Sequence, residues 1–472
     1  MAAYAWTRRH DLIYGGNSAM SARSDFRERL VEGPLLKAIW TLSFPIMITS
    51  GLHSLFNVVD IYFVGKLGPA AVAGVGMSGV VMFIVMTLMI GLGTATRATV
   101  SRFVGSGDYP KAVEYAVASL VIATFLSIIA GIFGTTLAPK ILSALDAKGE
   151  ALELGVRYIR IMFLGMIGMA FSMSINGILQ GAGDSKTPMY IMLFSVGLNV
   201  ILDPMMILGI WPFPKWGVEG AAIATVSARG MAMTIGLFVM FRGVDSFKVP
   251  FSSLKLHWKR IWDIIRIGIP AAIQPALGNV ANLLMIKVVA GFGTEAIAAL
   301  VLAIRIHMFA LLPGFGLGNA NGAIVGQNLG AGKIDRATKS VWITAGLLEA
   351  ILLVIGTVFY IFAPWIITQF NAEPEVVRIG SKGLRLLALG YPLVALATTL
   401  VRAINGAGKT LVPAIVLLIA FFGIQIPAAY LLAKTQLGAS GVFIAISVGF
   451  AFQAIILLGY FTTGRWAKGK FH

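Results

Sequence analysis

Twelve long apolar runs divide the sequence, and they constrain the fold more than any other feature. Each is long enough to cross a bilayer as an α-helix, which takes about 20 residues. Charged residues make up only 12% of the 472 residues, against about 25% in an ordinary soluble domain. The sequence therefore predicts an all-α polytopic membrane protein. The runs cover approximately 37–64, 71–97, 112–138, 157–180, 187–210, 217–241, 262–289, 296–324, 340–368, 378–404, 411–433 and 438–463.

Basic residues outnumber acidic ones and give the chain a net charge of +17. Most of them fall in the short gaps between apolar runs, where cations set the topology and contact anionic headgroups. The gaps after even-numbered runs hold the larger share, so we predict a multi-pass protein of the cell membrane with both termini in the cytoplasm. Membrane lipids are then the expected partners, and nucleic acid is not. The absence of cysteine excludes disulfides, thiolate metal sites and cysteine nucleophiles.

The second half of the sequence repeats the first at an offset of 225 residues. An internal repeat is the strongest sequence evidence for how a chain is organised. At this offset GLGTATR, which begins at Gly91, aligns with GLGNANG, which begins at Gly316. GAGDSKTP, which begins at Gly181, aligns with GAGKTLVP, which begins at Gly406. Each half therefore holds six apolar runs that begin on the same side of the membrane. Paired halves usually enclose a substrate site near the bilayer midplane and rock about it.

The longest hydrophilic gap lies at the midpoint of the chain and predicts a linker between two pseudo-symmetric six-helix bundles. The first thirty residues contain no apolar run long enough for a signal peptide. The predicted organisation is a cytoplasmic tail at 1–33, an N-lobe at 34–242, a linker at 243–261, a C-lobe at 262–464 and a second cytoplasmic tail at 465–472.

Asp203 is the one charged residue in the apolar run 187–210. A carboxylate inside a membrane-spanning helix costs roughly 2.5–3.5 kcal/mol, so a functional role is the default hypothesis and a buried acid that only joins two helices is the alternative. Asn199 lies one turn earlier and projects from the same face. A helix rises about 1.5 Å per residue, so Asp60 in the first run and Thr225 in the sixth are expected at a depth in the membrane similar to that of Asp203. Three helices of the N-lobe are thus expected to place oxygen ligands at one level.

The repeat provides an internal control for this polar set, because each half must make equivalent packing contacts. The equivalent positions in the C-lobe are all apolar, so the scaffold does not need the polar groups. Their presence in one half indicates a task that belongs to the N-lobe. Met285, Ile424, Ala428 and Ile446 correspond to Asp60, Asn199, Asp203 and Thr225, respectively.

Two carboxylates in a low-dielectric site cannot easily both be ionised unless a proton or a cation neutralises the pair. Oxygen ligands from Asp60, Asn199, Asp203 and Thr225 suit a hard cation such as sodium, and no cluster of histidine or cysteine suggests a transition metal. A shared proton would serve equally well. The sequence leaves the choice between the two ions open.

Several segments together resemble the multidrug and toxic compound extrusion (MATE) family of secondary transporters, and within it the DinF-like branch. They are GPLLKAIWTLSFPIM, VDIYFVGKLG, INGILQGAGDSKTPM, LNVILDP and WGVEGAAIAT, and the resemblance extends from about Gly33 to the C-terminus. It implies two six-helix bundles that form a V around a central cavity. It also implies export of amphipathic, mostly cationic organic compounds, coupled to inward proton or sodium flow through Asp60, Asn199, Asp203 and Thr225. We expect a monomer.

Other polar residues in the apolar runs are candidates for the cavity wall or for proton relay. His53 and Asn57 share a helix face with Asp60, and His53 could relay protons or simply be hydrogen-bonded. Arg229, Arg305 and His307 could line the cavity, although pairing with an acid or with backbone carbonyls is the usual fate of a charged group inside a span.

The sequence also argues against other activities. GAGDSKTP lacks the preceding strand and the spacing of a phosphate-binding loop, so ATP is not the expected energy source. No pair of nucleophile and base is apparent, and we predict a transporter without an organic cofactor rather than an enzyme. The alternative function is a flippase for a lipid-linked saccharide or a related amphiphile.

Overall fold

A computed structural model describes residues 27–243, 247–250, 255 and 257–468. Within these ranges ten helices are long and apolar enough to cross a membrane, and two sharply bent helix pairs bring the number of candidate spans to as many as twelve. The prediction of an all-helical polytopic membrane protein is therefore confirmed.

Among the described residues, the first half of the chain forms seven helices after a short helix at 27–31. Glycine in the left-handed conformation ends α2 at Gly107 and α5 at Gly183, where a side chain would be strained. The helices are α1 (Leu35–Gly65), α2 (Pro69–Ser106), α3 (Tyr109–Ala144), α4 (Gly149–Leu164), α5 (Met166–Ala182), α6 (Lys186–Leu208) and α7 (Gly217–Arg242).

The second half follows the same order, as the repeat predicts. Its helices are α8 (Trp258–Val289), α9 (Thr294–Gly330), α10 (Ile334–Thr368), α11 (Pro374–Leu389), α12 (Tyr391–Gly406), α13 (Leu411–Leu418), α14 (Ile426–Ala433) and α15 (Ser440–Thr462), with a 3₁₀ turn at Ala290–Phe292 after α8 and a π-helix at Ile419–Gln425 between α13 and α14.

The fourth and tenth apolar runs are each broken into two helices. The axis bends by 48° between α4 and α5 and by 57° between α11 and α12. A glycine lies at each bend, and an added Cβ would lie 2.2 Å from the Val226 side chain at Gly165 and 2.6 Å from Ser447 Oγ at Gly390. The close approach of a neighbouring helix therefore excludes a side chain at both bends.

Contacts within the chain divide it into two compact units. Of the described residues, the first unit contains those up to Pro34 together with Ile48–Ala272, and the second contains Leu35–Met47 together with those from Ile273 onward. The divisions fall inside α1 and α8, after Met47 and after Ala272, and the 225-residue offset of the repeat relates these two positions. α1 and α8 thus occupy equivalent roles in the two halves.

Candidate cation-coupling site

The four polar residues singled out in the sequence form one hydrogen-bonded cluster inside the first unit. Asn199 Nδ2 donates to Asp203 Oδ1 at 3.0 Å and to Asp60 Oδ1 at 3.3 Å. Thr225 Oγ1 donates to Asp60 Oδ2 at 3.1 Å. The side chains come from α1, α6 and α7, and all four are buried, with Asp60 the most accessible at 8%.

The cluster has more acceptors than donors. Neither Asn199 Oδ1 nor Asp203 Oδ2 has a hydrogen-bond partner, although both atoms are buried. Asp60 and Asp203 are also close enough to share a hydrogen bond when one of them carries a proton. Buried polar atoms are normally satisfied, and buried charges are paired. These two acceptor oxygens are therefore suited to binding a positively charged species, either a proton or a small cation.

An apolar layer lies one helical turn from the polar cluster on the same three helices. Phe56 of α1, Val196 of α6 and Ala228 of α7 pack together and are almost fully buried. Phe56 precedes Asp60 by one turn, Val196 precedes Asn199, and Ala228 follows Thr225 because α7 runs in the opposite direction. This layer closes one side of the cluster to water and lowers the dielectric constant around the two acids.

Two close contacts hold α6 against α7 on either side of the cluster. A Cβ added at Gly220 would lie 2.3 Å from the Met206 carbonyl oxygen, so glycine is required for this approach. At the other contact, Ser195 Oγ donates to the Ala228 carbonyl oxygen at 3.1 Å. Thr225 lies between these contacts, and they fix its distance from the acids.

Pro204 follows Asp203 inside α6, and the helix continues through it to Leu208. Proline has no N–H, so the carbonyl of Val200, four residues earlier, lacks its usual helical donor. This carbonyl is adjacent in sequence to Asn199. A backbone carbonyl without a helical donor is therefore a further oxygen ligand that α6 can offer.

A small cavity of about 30 Å³ lies in the first unit beside the apolar layer. His53, Phe56 and Arg229 line it together with several methionines. The Arg229 guanidinium lies 5.1 Å from the centroid of the Phe56 ring and interacts electrostatically with Asp60. Within the described residues Arg229 forms no ion pair. His53 and Arg229 therefore lie on the cavity wall, while Asn57 is exposed.

Tyr158 of α4 is a neighbour of the cluster that the sequence did not reveal. It is 7% exposed and lies within electrostatic range of Asp60, Asp203 and Arg229. A tyrosine in an amphipathic helix carries no signal of its own, since interfacial tyrosines are common in membrane proteins. Only the packing of α4 against α7 brings it near the acids.

Arg305 and His307 belong to the second unit and lie on different faces of α9. Arg305 is exposed, whereas His307 is buried and places its Nδ1 3.4 Å from the Tyr391 hydroxyl. His307 therefore packs inside the second unit beside α12, and Arg305 lies on the exposed side of α9.

The repeat-equivalent positions of the second unit form apolar core. Met285 and Ile446 are buried members of one hydrophobic cluster, and Ala428 packs against it. Ile424 is half-buried in the π-helix, where the equivalent helix α6 of the first half is regular. The two halves thus share a scaffold but differ in chemistry at these four positions.

Comparison with known proteins identifies the family. The MatE family model matches the chain twice, over residues 45–205 and 270–431, which is most of both halves. The chain belongs to the MatE family. This places it among membrane transporters and not among enzymes, as the sequence predicted.

Individual MatE relatives extend the match over nearly the whole chain. A probable multidrug resistance protein NorM of Thermotoga maritima is 28% identical over 441 residues, covering 92% of this chain and 93% of the relative. An FAD transporter of Shewanella oneidensis is 26% identical, and the match covers 80% of this chain and 84% of the transporter. A crystal structure of MATE in complex with MaL6 superposes with a TM-score of 0.86 at 27% identity, covering 93% of this chain and 99% of that one.

Proposed function

We propose that this MatE protein is an antiporter that exports small amphipathic organic compounds and is driven by inward flow of protons or sodium ions through the Asp60 and Asp203 cluster. The observation that carries the proposal is the pair of vacant buried acceptors, Asn199 Oδ1 and Asp203 Oδ2, beside two acids that receive only three hydrogen bonds. Such a cluster is complete only when a cation or proton joins it.

The cluster can exchange its ion without unfolding. When Asp60 and Asp203 are both ionised, sodium can bind their oxygens together with Asn199 Oδ1 and the Val200 carbonyl, all of which are hard ligands. When one acid is protonated, the two can share that proton instead. Either state lowers the charge of the pair from two negative charges to one, whereas the empty doubly ionised state is unfavourable. Ion binding is thus coupled to the packing of α1, α6 and α7.

The orientation and finer classification belong to the same proposal. We propose a monomer of the DinF-like branch in the cell membrane. We place both termini in the cytoplasm because basic residues are concentrated in the gaps after even-numbered apolar runs. The resemblance to multidrug resistance proteins supports organic substrates. Their mostly cationic character stays a prediction of that resemblance.

The test is efflux of a fluorescent organic cation from proteoliposomes under an imposed proton or sodium gradient. We expect outward movement of the dye to accelerate when either ion flows inward, and to stop when the gradient is collapsed with an ionophore. Efflux at the same rate with and without a gradient would contradict the proposal of coupled antiport.

A second function, a flippase for a lipid-linked saccharide or related amphiphile, is favoured by one observation. Arg229 lines the cavity of the first unit without an ion pair among the described residues, and could receive an anionic group. One relative is named an FAD transporter, and FAD carries a diphosphate. Translocation of a fluorescent diphosphate lipid in the same proteoliposomes, without efflux of the cationic dye, would support this function over the first.

A further inference from the structure

We propose that the beginning of α8 carries a binding surface for the headgroup of an anionic phospholipid. The surface consists of Trp258, Lys259, Trp262 and Arg266, and is called the tryptophan face below. All four side chains are exposed within the described part of the chain, the two tryptophans by 69% and 65%. The proposal is independent of the coupling ion and of the substrate.

The tryptophan face is one continuous side of the helix. At 3.6 residues per turn, its four residues fall within an arc of about 100°, and the exposed Ile269 and Ile273 continue the same arc. The opposite side of the helix is buried, with Ile264 and Ile267 exposed by 1% and 5%. The face therefore changes from tryptophan and cations at the start of α8 to isoleucine about three turns further on.

The change in residue type coincides with the expected depth of the membrane boundary. α8 and the 3₁₀ turn after it are 35 residues long, or about 52 Å at 1.5 Å per residue. The hydrocarbon core is only about 30 Å thick, so about seven residues at each end lie among the headgroups. Trp258, Lys259 and Trp262 fall in that layer, and Arg266 lies at its inner edge, from which its long side chain can reach back to a phosphate.

The other side of this segment is fixed to α3, which keeps the face pointing outward. Arg260 Nε lies 3.0 Å from Glu114 Oε2, and the Tyr115 hydroxyl donates to Asp263 Oδ2 at 2.6 Å. The Arg260 guanidinium also lies 5.2 Å from the centre of the Tyr115 ring. These contacts engage Asp263, which is the only acid of α8. The tryptophan face is left with two cations and no carboxylate of its own helix.

The chemistry of the face selects the ligand. Tryptophan is enriched at the membrane interface, and basic groups at that level attract anionic lipids by about 1 kcal/mol each, which is about fivefold in affinity. Lys259 and Arg266 are about two turns apart, and a phosphodiester with a second hydroxylated or charged group could contact both. A zwitterionic headgroup would bring its own cation against them and bind less well.

The test uses the purified full-length protein in detergent, titrated with phosphatidylglycerol or phosphatidylcholine, with bound lipid counted by native mass spectrometry. We expect retention of phosphatidylglycerol in preference to phosphatidylcholine. Lys259→Gln with Trp262→Ala should weaken phosphatidylglycerol binding at least about fivefold, and adding Arg266→Gln should bring the loss to about 25-fold. Equal binding of the two lipids, or unchanged binding by the triple variant, would overturn the proposal.

α10 provides a matched control. Lys339 and Trp342 have the same spacing as Lys259 and Trp262 and are both exposed, but the exposed Asp335 lies one turn before Lys339. Lys339→Gln with Trp342→Ala should leave phosphatidylglycerol binding unchanged, and an equal loss in both variants would overturn the assignment to α8. Thermal unfolding without lipid should be the same for all variants. If the parent protein is a dimer and the triple variant is a monomer, a second copy of the chain occupies the tryptophan face, and the proposal is wrong.

Discussion

Asp60 and Asp203 accept hydrogen bonds from the same nitrogen, Asn199 Nδ2, at 3.3 and 3.0 Å. One amide group thus joins α1 to α6 through its two hydrogens, one for each acid. Since this amide and the Thr225 hydroxyl are neutral donors, they cannot compensate two negative charges, and a proton or a bound cation stabilises the arrangement. The relationship between these acids is the basis of the first three predictions.

Replacing either acid by its amide should uncouple transport. Asp203→Asn and Asp60→Asn keep the shape of the side chain but cannot release a proton or neutralise a cation. We expect ion-driven efflux to be lost while thermal stability stays within a few degrees of the parent or rises. Wild-type coupled rates in either variant would place the coupling site elsewhere.

Met285→Asp places a carboxylate at the position equivalent to Asp60 in the second unit. Met285 is fully buried in an apolar cluster, so we expect a loss of about 3–5 kcal/mol of unfolding free energy, typical of an uncompensated buried charge. No second coupling route should appear, because the other three equivalent positions remain apolar. Sodium-dependent stabilisation of this variant would contradict the expectation.

Protons and sodium should bind the cluster in a mutually exclusive manner. Sodium needs ionised oxygens, so its affinity is greatest when both acids are ionised and falls as the pH drops and a proton is taken up. At low pH we expect about a tenfold loss per pH unit, as for competition with one proton. Calorimetry of sodium binding across a pH series measures this, and an affinity independent of pH would mean two separate sites.

Thr225→Val removes the hydroxyl that donates to Asp60 while keeping the side-chain volume. A hydrogen bond to a charged group contributes about 1.5–3 kcal/mol, so we expect sodium affinity to change by about tenfold or more and the midpoint of its pH dependence to shift. Thr225→Ser should restore the parent behaviour because it retains the hydroxyl. Equal effects of valine and serine would indicate a packing role only.

Gly220→Ala tests whether the spacing of α6 and α7 sets the site. The new methyl group would lie 2.3 Å from the Met206 carbonyl oxygen, so the helices must separate and Thr225 must move with α7. We expect lower thermal stability and weaker sodium binding. Gly230→Ala is the matched control, because nothing lies within 4 Å of that position in the same helix. It should be neutral or slightly stabilising, since alanine favours helix, and equal losses in both variants would refute the explanation.

The sequence alone determined the class of the fold and the membership of the cluster. Apolar runs of membrane-spanning length must become helices in a bilayer, because no other open structure satisfies the backbone there. The offset of 225 residues fixed the internal repeat. Asp203 stood out because an acid in such a run is costly, and Asn199 followed from helical periodicity. Asp60 and Thr225 were assigned to the cluster because their distance along their helices places them at the same membrane depth as Asp203.

Tertiary packing decided the rest, because side-chain contacts between distant helices are not encoded in local periodicity. At the broken spans, the neighbours that leave no room for a side chain at Gly165 and Gly390 are Val226 and Ser447, which lie far away in sequence. Tyr158 joins the surroundings of the acids only through α4, and Asn57 is exposed although it shares a periodic face with Asp60. A pattern along one helix gives the direction of a side chain, but the identity of its partner depends on which helix packs there and how closely.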